Sequence, residues 1–116
     1  MPSINKLEKR KSWIAHGLVS NGKAYVDLGA QKAIITNGKS LLPAGIKKLS
    51  GDFERGSAIE IFLLDSKKPF AKGITNYGKT ELDKIMGIKS SDIENVLGYT
   101  YGETVIHRDD LVILKS

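Results

Sequence analysis

The sequence predicts a mixed α/β fold, mainly β, in which short strands close into a small barrel that carries short helices. Three observations point to it. Six extended or apolar stretches of four to eight residues recur along the chain, separated by glycine, proline and acidic turns. The helical stretches among them are brief and bounded by caps, and the chain lacks the alternating strands and long helices that a parallel sheet requires. Its 116 residues fit one domain and allow a single modest core.

Residues 1–11, with KLEKRK, have no apolar face and read as a polar basic lead, leaving 12–116 as the domain. Strands are expected over Ser12–His16 and Ala24–Asp27. Asp27 can also cap a short helix that Gly38 ends. Ala30, Ala33 and Ile34 share one face of that helix at i, i+3, i+4 spacing, and its small residues allow close approach to a neighbouring sheet. In SLLPAGIKKL, Pro43 and Gly45 bend the backbone before a strand over Ile46–Leu49, and Gly51-Asp52 and Arg55-Gly56 mark turns beyond it. The run AIEIFLLD, Ala58–Asp65, alternates and then becomes apolar, as a strand does on entering a core. DSKKP then makes a hairpin-like link to a strand over Phe70–Thr75. Thr80 is the expected cap of a helix that turns Leu82, Ile85 and Met86 inward before Gly87. Ser91 with Glu94 reads as a capping box for another helix, carrying Ile93, Val96 and Leu97 before Gly98. The apolar run Leu111–Leu114 is the expected closing strand.

A hydrophobic content of 41% with 27% charged residues is ordinary for a globular protein and selects no function. The absence of cysteine excludes disulfides, thiolate metal sites and cysteine nucleophiles. The two histidines, His16 and His107, stand about 90 residues apart with no acid cluster, so neither a metal nor a cofactor is expected. The basic N-terminal run is broken by His16 and is too short for a secretory leader. No segment approaches a membrane span, so a soluble cytoplasmic protein is expected. Net charge is +5 and unevenly spread: residues 1–48 hold nine Lys or Arg against two acids, and residues 49–116 hold nine against eleven. Lys32, Lys39, Lys47 and Lys48 fall around one helix-turn-strand unit, as a nucleic-acid surface requires, although lysines also solvate surfaces generally.

Two strings suggest catalysis. GITNYGKT, Gly73–Thr80, satisfies the pattern GxxxxGKS/T, in which backbone amides cradle phosphates, Lys79 would reach the terminal phosphates and Thr80 would hold Mg²⁺. The helix after it spans barely two turns, no apolar strand ending in Asp follows, and bulky Tyr77 sits where a phosphate loop needs small groups. His107-Arg108-Asp109 matches the start of a protein-kinase catalytic loop but lacks the downstream Asn. It reads instead as a polar turn, with Arg108 available for an ion pair or a phosphate. Trp13 and Phe62 are expected in the core, and Tyr77, Tyr99 and Tyr101 could stack on bases.

The stretches RKSWIAHG, VDLGAQKAI, GKSLLPAGI, GDFERG, AKGITNY, SSDIENVLGYTYG and VIHRDDLVIL, spanning residues 10–114, resemble the PUA domain, and within it the C-terminal PUA domain of bacterial glutamate 5-kinases. The resemblance implies a PUA-type pseudo-barrel. It also implies that RNA is held by the first helix, the glycine-containing turn and the following strand. These map onto Gly29, Ala30, Lys32, Ala33, Gly38, Lys39, Ser40, Leu41, Leu42, Pro43 and Ala44, and the clustered Lys47 and Lys48 join them. Small residues would admit a sugar-phosphate backbone, exposed amides would donate to phosphates, and lysines would supply salt-dependent attraction. The partner would be a structured RNA such as a transfer or ribosomal RNA. The alternative is an accessory domain that serves an amino-acid kinase domain in proline synthesis. In that family the kinase domain precedes the basic lead, and no kinase activity is expected of these residues alone.

Overall fold

The computed structural model describes Ile14 and residues 19–114. Strand β1 (Gly22–Val26) leads into helix α1 (Leu28–Asn37), and a 3-10 turn at Pro43–Gly45 leads into β2 (Ile46–Gly51). Strands β3 (Ala58–Leu63) and β4 (Pro69–Ile74) follow, then α2 (Lys79–Ile85) and a 3-10 turn at Ser90–Asp92 that continues into α3 (Ile93–Leu97). A last 3-10 turn, Arg108–Asp110, delivers β5 (Leu111–Ile113). The lead 1–11, Trp13 and His16 lie outside the described residues. So does the strand expected over Ser12–His16, apart from Ile14, which is helical and buried.

The strands form one sheet in the order β2-β1-β3-β4-β5. Every neighbouring pair is antiparallel except β1 and β3, which run parallel from Gly22↔Ile59 to Val26↔Leu63. Parallel neighbours need a crossover rather than a hairpin. Here the connection is α1, the Pro43 turn and the edge strand β2, so these three elements hang from one side of β1 as a unit.

The sheet is open. Its edges β2 and β5 do not pair with each other, and helices and strands contribute similar lengths, so the fold is a balanced α/β arrangement. This corrects the expected mainly β closed pseudo-barrel. Closure demands tilted, staggered strands long enough to bring the edges into register. β5 has three residues and pairs with β4 only over Ala71–Gly73, and an isolated bridge between Leu41 and Ile106 stands where a continuous ladder would be needed.

Alternation decides the core. Ala24 and Val26 of β1 and Ile59 and Ile61 of β3 face inward, against Ile34 of α1, Leu82 and Ile85 of α2, Ile93 of α3, and Tyr77. Each fully buried isoleucine stabilises the fold by about 1.5–3 kcal/mol. On the opposite sheet face Tyr25 stacks on buried Phe62 with centroids 5.0 Å apart, and Lys48 and Lys23 lie over those two rings at 5.4 and 5.5 Å.

Strand ends differ from expectation by one or two residues, and the caps differ in kind. Helix α1 begins and ends as expected: Ala30 N–H donates to Asp27 Oδ1 at 2.8 Å, and Gly38 takes the left-handed conformation at φ 62°. Helix α2 is capped by Gly78 rather than Thr80, because the Glu81 carboxylate three residues on accepts the Gly78 N–H at 2.9 Å. Ser91 caps nothing. It lies inside the 3-10 turn, α3 starts after Asp92 without a side-chain cap, and Ile93 and Leu97 pack on the core while Val96 faces solvent.

Candidate functional site

A groove of about 620 Å³ runs between α1 and the segment Lys39–Gly45. Its making is local. Asp27 both caps α1 and donates its N–H to Gly45 O at 3.1 Å, so the helix start and the 3-10 turn are tied together. Gly45 sits so close that a Cβ there would lie 2.6 Å from Ala30 Cβ, which only a glycine facing an alanine tolerates. The far wall is tied down through Leu41, whose N–H donates to Ile106 O at 2.9 Å and whose carbonyl accepts the Val105 N–H at 2.7 Å. Ser40 Oγ accepts the Arg108 N–H at 2.7 Å.

Seven of the expected site residues line this groove: Ala30, Ala33, Lys39, Ser40, Leu41, Leu42 and Ala44. Leu41 is buried beneath it, whereas Leu42 stands as an exposed lip. Gly38 adjoins it as the exposed end of α1, Gly29 is exposed at the helix start, and Pro43 is buried with its carbonyl accepting the Gly87 N–H at 2.7 Å. The lysines divide. Lys39 lines the groove, and Lys47 Nζ lies 3.8 Å from Asp27 Oδ2, a half-exposed pair of small energetic weight that keeps the amine at the groove's edge. Lys32 follows Ala30 by about 200° around α1 and so points to the far side, and Lys48 is committed to Tyr25 on the opposite sheet face.

Asp27, Ile34 and Gly45 also line the groove, although the sequence suggested only structural roles for them. Beside it, sharing Ile34 and Lys39, is a second hollow of about 130 Å³ walled by Gly38, Arg108, Asp109, Leu111 and Ile113. Chain separation hid this neighbour. Nothing local in HRDD indicates that it folds against a turn some 70 residues earlier.

The phosphate-loop string is occupied with its own structure. Thr75 N–H donates to Ser57 O, Asn76 N–H to Val105 O, Tyr77 N–H to Thr75 Oγ1, Gly78 N–H to Glu81 Oε1 and Lys79 N–H to Phe53 O, all within 3.2 Å. No amide from Thr75 to Lys79 is left to cradle a phosphate. Lys79 pairs instead with Asp83, one turn along α2, at 2.9 Å. Tyr77 is fully buried, its hydroxyl donating to Gly102 O at 2.6 Å and accepting the Tyr101 N–H at 2.8 Å. Tyr99 and Tyr101 are partly exposed. The Arg55 guanidinium covers the Tyr101 ring at 3.8 Å, and a hydrogen bond to the Glu81 carboxylate pushes the Tyr99 hydroxyl up to about 12. His107 Nδ1 accepts the Asp109 N–H at 3.1 Å, a polar turn as expected.

Among the described residues no three His, Asp or Glu side chains gather in a metal-binding group, and no helix is long and apolar enough to cross a membrane.

The PUA domain family matches residues 22–97. Among curated proteins, glutamate 5-kinase of Syntrophotalea carbinolica is 48% identical over 99% of this chain and 31% of its own length. The enzyme of Trichlorobacter lovleyi is 46% identical over 98% and 30%, and that of Dictyoglomus turgidum 47% over 97% and 30%. The chain thus spans about a third of the length of these relatives and corresponds to their non-catalytic PUA region. Among solved structures, the crystal structure of a PUA domain from Aeropyrum pernix K1 in complex with tartrate superposes with a TM-score of 0.54 at 21% identity, over 75% of this chain and 41% of the other. By residue match and by fold, this chain belongs to the PUA domain family and is closely related to the PUA domain of bacterial glutamate 5-kinase.

Proposed function

We propose that the chain is a cytoplasmic RNA-binding module that holds structured RNA along the groove between α1 and the Lys39–Gly45 segment. PUA domains are generally thought to bind RNA. The observation that carries the reading is the convergence of Ala30, Ala33, Ser40, Leu42 and Ala44 on one apolar groove with the amines of Lys39 and Lys47 at its edge. Small side chains let a ribose-phosphate strand lie close, and the amines neutralise phosphates. Gly29, Gly38, Leu41 and Pro43 serve as shape, and Lys32 and Lys48 contribute only long-range attraction.

The test is a titration of transfer RNA at two salt concentrations. Lys39→Glu with Lys47→Glu is expected to weaken binding strongly and to flatten the slope of log K against log salt by roughly 0.7–0.9 for each phosphate no longer neutralised. Lys32→Glu with Lys48→Glu carries the same charge change and is expected to do much less. Equal losses in the two pairs would leave net charge, rather than the groove, as the determinant.

A second reading is an accessory domain that docks on an amino-acid kinase domain. It is favoured by the correspondence of this whole chain to about a third of each glutamate 5-kinase relative. A flat RNA titration together with binding to a relative's kinase portion, abolished in the Lys39/Lys47 variant, would establish it.

A further inference from the structure

We infer that the hollow beside the groove is a base-reading pocket: it takes one unpaired nucleotide, and Asp109 selects bases that offer an exocyclic amine. This rests on the RNA reading above and adds to it a specificity-determining residue. The hollow of about 130 Å³ has room for one planar ring, and its apolar walls are Ile34, Leu111 and Ile113. Lys39 is common to groove and hollow, so a strand lying in the first passes directly into the second. Arg108 stands at the hollow's edge, held against the groove by its N–H bond to Ser40 Oγ at 2.7 Å. Two cations therefore flank the position of a nucleotide whose base enters the hollow.

The acid among them is the informative residue. A carboxylate weakens the attraction of neighbouring cations for a plain polyanion, yet Asp109 lines the hollow together with Lys39 and Arg108. Its Oδ2 lies 3.7 Å from His107 Nδ1, but that nitrogen accepts the Asp109 N–H at 3.1 Å and so has no proton to give the carboxylate in return. The carboxylate oxygens are acceptors with the chemistry to receive an amine from the edge of cytosine, or the amine and ring N–H of guanine. Uracil presents at the position of cytosine's amine a carbonyl that the carboxylate repels, and keeps only its ring N3–H as a donor.

The pair cytosine and uracil sets that amine against a carbonyl, the neighbouring ring nitrogen changing with it from acceptor to donor. Fluorescence anisotropy with oligocytidylate and oligouridylate of equal length, at neutral pH and fixed salt, should show the native chain binding the cytosine oligomer about tenfold more tightly. Asp109→Asn keeps the side chain's shape and can donate to the uracil carbonyl, so the ratio should fall to near one. Arg108→Ala should weaken both oligomers alike, keep the ratio, and lower the salt slope by roughly one phosphate. A native ratio of one, or a ratio unchanged in Asp109→Asn, overturns the inference. If transfer RNA binds through Lys39 and Lys47 while the ratio is one, only the pocket falls. If neither transfer RNA nor either oligomer binds, the RNA reading falls with it.

Discussion

The groove beside α1 and the loop between β4 and α2 are both glycine-containing turns that precede or follow a helix, and both contain lysine. They differ in where their polar groups go. In the loop, each amide from Thr75 to Lys79 donates within the protein, and Tyr77 fills the space beneath. Beside α1 the backbone is tied at Lys39, Leu41, Pro43 and Gly45, yet Ala30, Ala33, Ser40 and Ala44 leave room above it and open onto about 620 Å³. A motif is thus a statement about residue types, whereas a site needs unsatisfied donors and room.

Substitutions should separate the two regions sharply. Tyr77→Ala removes a fully buried ring and the hydroxyl that anchors Gly102 and Tyr101, and should cost about 3–5 kcal/mol in urea denaturation. Gly73→Ala places a methyl 2.7 Å from Asp110 O and Ile106 Cγ2, backbone and core that cannot both give way, and should cost about 1–3 kcal/mol. On the groove side, Asp27→Ala removes one cap and a weak ion pair, so about 1 kcal/mol is expected, with a measurable loss of helical circular dichroism. Lys79→Ala should be the mildest, within about 0.5 kcal/mol, and should leave any nucleotide-binding isotherm as flat as that of the native chain. A Lys79→Ala cost near that of Tyr77→Ala would erase the contrast.

What could be read in advance was whatever a few neighbouring residues decide. Asp27 to Gly38 is such a case, because a carboxylate three residues before an orphan amide and a glycine free to adopt positive φ mark the two ends of α1 unaided. Gly78 was missed because its cap is made by a backbone donor and the later Glu81, whereas Thr80 looks the better residue by type. Val96 was expected inward with Ile93 and Leu97 but faces solvent, while the other two pack on the core. The open sheet was not legible, since closure depends on stagger between β2 and β5, elements 60 residues apart with no local signature of their pairing. For the site, Ala30, Ala33, Lys39, Ser40, Leu41, Leu42 and Ala44 came from resemblance and proved to share one groove. Lys32 and Lys48 were grouped with them, although the periods of helix and strand carry the signal that turns Lys32 away from Ala30 and Lys48 away from Lys47. Arg108 and Asp109 could be placed there only by the long-range bond to Ser40.

The contact of Gly45 with Ala30 sets the width of the groove, because the two backbones meet with no space for another methyl. Within a lineage, that makes the aperture adjustable without altering the amines of Lys39 and Lys47 at its edge. Alanine at position 45 would wedge the helix outward, and glycine at position 30 would let it settle inward. Divergence among such modules can therefore begin at the hinge of the opening, with the liganding chemistry following later.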